Sequence, residues 1–192
     1  MGITRLNHAV FYVRNVAVTK AFYSEVLGFT TVVEDPTGRF LFMRASASRN
    51  HHDPNHHDPN HHDPNHHDPN HHDPNHHDPN HHDIAFFAIG ERAAANPAGR
   101  GGAVGLYHVA WQVESITELE HMRCKLIDAG ALVGASDHGV SKSLYAIDPD
   151  GAEFEIMWPV PPSLWGDMEH ATIIEPLDLA REIATYSEMT RE

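Results

Sequence analysis

The chain has 192 residues, with 13 Lys and Arg against 27 Asp and Glu and a formal net charge of −14. Positive charge is neither abundant nor clustered, which argues against a nucleic-acid partner, because neutralising phosphates needs clustered cations. No run of 18 apolar residues is present, the first residues lack the apolar core of a signal peptide, and Cys124 has no second cysteine to pair with. A cytoplasmic protein with no membrane partner is expected.

Elements follow in chain order. Residues 6–13 form an apolar, aromatic-rich run of strand length. Asn15 then caps a helix with Val18, Phe22 and Val26 as its apolar stripe and Gly28 as its stop. Strand-like runs occupy 29–34, 39–45 and 83–89.

Between the last two of these lies the histidine excess. Residues 51–80 are six copies of His-His-Asp-Pro-Asn, and His81-His82-Asp83 starts a seventh, so fourteen of the 19 histidines belong to this pattern. Proline at every fifth position removes a backbone donor, and no apolar side chain is available to offset ordering entropy. The tract reads as a disordered or polyproline-like loop. Removing the six copies restores Arg49-Asn50-His81-His82, as expected of a tandem expansion of one short segment. A weak metal-binding role for the tract is the alternative.

The second half repeats the first. Residues 106–113 (Leu106-Tyr107-His108-Val109) match 6–13 (Leu6-Asn7-His8-Ala9), with the two histidines 100 positions apart. Ser115 and Glu118 form a capping box, and Ile116, Leu119, Met122, Leu126 and Ile127 recur at helical spacing before Gly130. Strands are expected at 131–136, 142–147 and 152–158, the last two joined by the turn Asp148-Pro149-Asp150-Gly151. A helix near 176–189 has Leu177, Ala180, Ile183 and Ala184 as its stripe. Cys124 reads as structural, and His121 and His170 as surface residues.

The expected fold class is α+β: two βαβββ modules forming a curved mixed sheet around a concavity, with helices outside. Residues 1–160 make one domain, with module one at 1–90, module two at 104–160 and a tail at 161–192. Strand alternation puts His8, His108 and Glu155 on the concave side from three strands, while Phe154, Ile156 and Trp158 face the helices. Two imidazoles and one carboxylate are a facial ligand set that leaves coordination positions open for substrate. Any one of them read alone is a satisfied polar residue; their duplication at equivalent points of two modules weakens that reading.

The segments Leu6-Asn7-His8, Leu106-Tyr107-His108-Val109-Ala110-Trp111 and Asp148-Pro149-Asp150-Gly151-Ala152-Glu153-Phe154-Glu155 resemble the vicinal oxygen chelate superfamily. That superfamily includes glyoxalase I, fosfomycin- and bleomycin-resistance proteins and extradiol ring-cleavage dioxygenases. The resemblance implies a divalent metal on His8, His108 and Glu155. It is strongest to the extradiol branch, which implies Fe(II), or Mn(II) or another divalent ion, acting on a small aromatic diol and O₂. His82 then matches the acid–base histidine, Tyr145 a tyrosine that donates a hydrogen bond to the substrate oxygen, and His138 a second pocket histidine. Residues 83–89 contain no Glu, whereas the glyoxalase branch carries a ligand Glu there. The alternatives are another enzyme of the superfamily, such as a glyoxalase-like lyase or a resistance thiol transferase, and a non-catalytic binder of aromatic ligands. Paired-module proteins of this kind often form homodimers.

Overall fold

The computed structural model describes residues 2–3, 5–45, 80–94 and 104–189. In module one, β1 (Ala9–Val13) leads to α1 (Val16–Glu25), β2 (Thr30–Glu34), β3 (Phe40–Arg44) and β4 (Ile84–Ala88). In module two, β5 (Val109–Gln112) leads to α2 (Ile116–Asp128), β6 (Leu132–Asp137), β7 (Ser141–Ile147) and β8 (Glu153–Pro159). Two 3₁₀ turns, Pro162–Leu164 and Gly166–His170, then precede the short β9 (Glu175–Pro176) and α3 (Leu179–Met189). The expected reading of 51–80 as a loop lies outside the described residues, apart from Asn80.

Both helix starts form as their sequences dictate. The Asn15 side chain accepts a hydrogen bond from Ala17 N at 2.9 Å, and Ser115 and Glu118 complete a reciprocal capping box. The curved β layer expected of the paired modules is formed by two sheets, ordered β1-β4-β3-β2 and β5-β8-β7-β6-β9. In each module the first strand lies parallel to the last, and the other module-internal pairings are antiparallel.

One core joins the modules. Buried Tyr23 of α1 sits 4.7 Å from Phe86 and 5.5 Å from Phe29 (ring centroids), and Phe29 in turn meets Trp111 of β5 edge-on at 5.1 Å. Phe154 and Ile156 of β8 are buried as expected, and Phe22 of α1 packs edge-on against Phe154. Aromatic pairs in these tilted and edge geometries add stabilisation beyond the area they bury.

Several expected stripes face elsewhere. Val16, Thr19 and Tyr23 are the buried face of α1, and Val18 is half-exposed. Ile127 and Cys124 point outward from α2, so Cys124 is not a core residue. In α3, Leu179, Glu182, Ile183 and Tyr186 face the protein while Ala180 and Ala184 face solvent. Among the described residues no helix is long and apolar enough to cross a membrane.

Candidate metal centre

The register of β1 on β4, Ala9 opposite Ile84, sets His8 beside the segment that enters β4. There the His8 ring lies 4.6 Å from that of His82. His82 also stacks on Phe42 at 4.7 Å and 18°. Phe42 is available because alternation along β3 sends Leu41 and Met43 into the core and leaves Phe40 and Phe42 on the other face.

The approach to His82 is braced by backbone contacts. Arg44 Nη2 donates to the carbonyls of Asn80 at 2.6 Å and His81 at 2.8 Å. Asp83 Oδ2 accepts from Ala45 N at 2.9 Å. The amides of Asn7 and Asn80 bond each other and the adjoining backbone. Partial burial, then the neighbouring His8 and His81 imidazoles, hold the His82 pKa below the ordinary histidine value. The ring is therefore neutral at neutral pH and able to accept a proton.

Module two gathers the remaining candidates. Register places Ala110 of β5 and Tyr145 of β7 on either side of Glu155 in β8. His108, one residue before β5, has Nε2 3.1 Å from Glu155 Oε2, and its ring lies 5.8 Å from that of Tyr145. The Tyr145 hydroxyl is 2.8 Å from His138 Nε2. Burial, reinforced by the Glu155 carboxylate, raises the Tyr145 pKa, so the phenol keeps its proton.

The sequence-predicted residues therefore assemble in two places: His8 with His82, and His108 with Glu155, Tyr145 and His138. Among the described residues no three His, Cys, Asp or Glu side chains come close enough together to hold a metal ion. Arg14, just past the end of β1, donates to Asp150 in the turn before β8, with Nη1–Oδ1 at 2.9 Å. The start of β8 lies alongside the start of β5, since Val109 pairs with Phe154. The end of β1 thus meets the beginning of module two's sheet. His8 lies at the other end of β1 from Arg14.

The module-two pair itself suits a divalent ion. Two donors each about 2.1 Å from one metal and at right angles lie about 3.0 Å apart, close to the separation seen between His108 and Glu155. His108 Nδ1 is buried without a hydrogen-bond partner among the described residues, leaving Nε2 as the nitrogen facing the carboxylate.

Paired βαβββ modules, each ending in a strand parallel to its first, define a protein of the vicinal oxygen chelate fold. A family model for the Glyoxalase/Bleomycin resistance protein/Dioxygenase superfamily matches residues 5–156, and the chain belongs to that superfamily. Its members use divalent metals such as Fe, Mn and Zn and are mostly enzymes. A 61-residue segment is 41% identical to catechol-2,3-dioxygenase of Bacillus subtilis, spanning 32% of this chain and 21% of that protein. Among solved structures, a glyoxylase/bleomycin resistance protein/dioxygenase domain from Frankia sp. EAN1pec superposes with a TM-score of 0.55 at 16% identity, covering 84% of this chain and 96% of that one. The fosfomycin resistance protein FosX of Listeria monocytogenes gives 0.51 at 14% identity, covering 83% and 96%. Lactoylglutathione lyase of Agrobacterium tumefaciens gives 0.50 at 20% identity, covering 86% and 99%. At these identities the structural likenesses establish the fold alone.

Sequence reasoning identified both clusters' imidazoles but missed their supports. Phe42, Arg44 and Asn80 hold His82 in place, and the Ile173 carbonyl touches His138. The alternation of Phe40 and Phe42 off the core face was the one available signal for any of these.

Proposed function

We propose that the protein is a metal-dependent dioxygenase that cleaves the ring of a small aromatic diol with O₂. The observation that carries the reading is the His108–Glu155 pair with the Tyr145 hydroxyl and His138 beside it on adjoining strands. The catechol-2,3-dioxygenase segment match supports it. His108 and Glu155 would hold the ion, with His8 as third ligand. A divalent iron bound there would supply the redox chemistry that joins an electron-rich diol to dioxygen.

The chain's own residues supply the rest. His82, neutral and stacked on Phe42, accepts a hydroxyl proton of the diol and returns it later. The neutral phenol of Tyr145 hydrogen-bonds a substrate hydroxyl, its own proton lying toward His138. Because His8 and His82 assemble apart from His108 and Glu155, we propose that the complete site forms in a homodimer, each copy lending its His8 and His82 to the other's His108 and Glu155. Tyr12 at 75% and Val10 at 54% exposure leave the His8 face of β1 open for such a partner.

Protein loaded anaerobically with Fe(II) is expected to consume O₂ and yield yellow ring-opened products from a catechol panel. Absence of turnover across the panel would overturn the dioxygenase reading. Dimer sharing is tested separately by mixing inactive His8→Ala and Glu155→Ala chains. Statistical pairing should restore roughly a quarter of wild-type activity if sites are shared, and none if each chain holds its own.

A further inference from the structure

The segment that follows β8 returns to the site. After the two 3₁₀ turns it passes over the β6–β7 hairpin, where Glu175 and Pro176 pair with Asp137 and Ser136. A Cβ at Gly139, in the hairpin turn with φ +73°, would fall 2.7 Å from Ile173 Cδ1 and 3.3 Å from Met168 Sδ. The strap is therefore seated directly on that turn, at a position only glycine fits. It is fastened further on by α3: Lys142, 3% exposed, lies 2.5 Å from Asp137 Oδ1 and 3.1 Å from Glu182 Oε2.

Within this seat the Ile173 carbonyl oxygen lies 3.1 Å from His138 Nδ1. A carbonyl can only accept, so Nδ1 must carry a hydrogen. In the neutral ring the other nitrogen, Nε2, is then a bare acceptor. Nε2 faces the Tyr145 hydroxyl at 2.8 Å, and that hydroxyl has one proton to give. Tyr145 therefore donates to His138 and can only accept from any other partner.

We propose that the C-terminal strap is a positioning element of the site: the Ile173 backbone carbonyl fixes His138 in the Nδ1–H form, and His138 thereby makes Tyr145 a hydrogen-bond acceptor toward the substrate. The inference rests on Tyr145 facing substrate in the function proposed above, and it adds a requirement. The substrate oxygen at Tyr145 must still carry its hydrogen, so the diol is recognised through a retained O–H. Ile173 and His138 are positioning groups; only Tyr145 touches substrate.

Nitrogen-15 NMR of the full chain's histidine rings tests this, with the His138 signals identified by their loss in His138→Gln. A protonated Nδ1 and bare Nε2 are expected near neutral pH, the reverse of the form free histidine prefers. A ring protonated at Nε2 alone overturns the proposal. In the catechol assay, His138→Ala and Tyr145→Phe are each expected to lower kcat about tenfold, and the double variant no further, because His138 acts through the hydroxyl. Losses that multiply overturn it. A wild-type chain with no turnover on any diol removes the dioxygenase reading, and the ring tautomer still decides the strap's role.

Discussion

Glu155 is the only carboxylate in the proposed ligand set, and Gln in its place keeps the volume and the position in β8 while removing the charge. Glu155→Gln is expected to lower iron bound per chain at least tenfold, while thermal stability measured in chelator shifts by less than about 1 kcal/mol. Unchanged iron content would exclude Glu155 as a ligand. Asp35 gives the residue-scale pH effect. Hydrogen bonds from Arg39, then from Thr37, hold its carboxyl well below the usual range. A depressed carboxyl pKa stabilises the fold above the unfolded value of about 3.9, and the benefit fades as pH falls below it. Asp35→Asn should therefore melt earlier than wild type at pH 7, with the gap narrowing between pH 4 and pH 2; a constant gap would show that the charge contributes nothing. At this scale the candidate imidazoles were legible from the duplicated histidines. The Ile173 carbonyl was not, since every residue has one and no side chain marks which is used.

The secondary elements show where hydrophobic periodicity succeeds and where a buried charge defeats it. The α2 cap was legible because Ser115 and Glu118 stand at the spacing reciprocal bonding requires, and Ser115→Ala should cost about 1 kcal/mol in denaturant unfolding. The face of α3 was misassigned. Its inward side includes Glu182, a residue that a hydrophobic stripe excludes, because Lys142 of β7 reaches out to pair with it and with Asp137. Lys142→Met removes the buried cation between Asp137 and Glu182, leaving Glu182 its partly exposed partner Arg181 and Asp137 the Gly139 amide. The expected loss is about 3 kcal/mol, the low end for breaking a buried ion group by one partner, because Arg181 still pairs with Glu182. Destabilisation under 1 kcal/mol would mean that the seam admits water and α3 docks by its apolar contacts alone.

On the scale of the whole molecule, the duplication, the order of elements within each module and the superfamily were all legible, because they are written in local pattern and in the His8 and His108 match. How one sheet sits against the other was not. That arrangement depends on Phe29 against Trp111 and Arg14 against Asp150, contacts with no periodicity. The repeat tract poses the last question at this scale. Excising 51–80 joins Asn50 to His81, so an asparagine again stands where Asn80 bonds Asn7 and receives Arg44 at its carbonyl. The shortened chain should therefore keep its stability within about 0.5 kcal/mol and its iron per site, while losing any excess nickel or zinc taken up by the full chain. Replacing that junction asparagine with Ala in the shortened chain should cost about 1 kcal/mol, the net worth of its exposed amide hydrogen bonds. If excision alone destabilises the fold by that much, the six copies do structural work beyond presenting one asparagine, and their reading as an inert expansion is wrong.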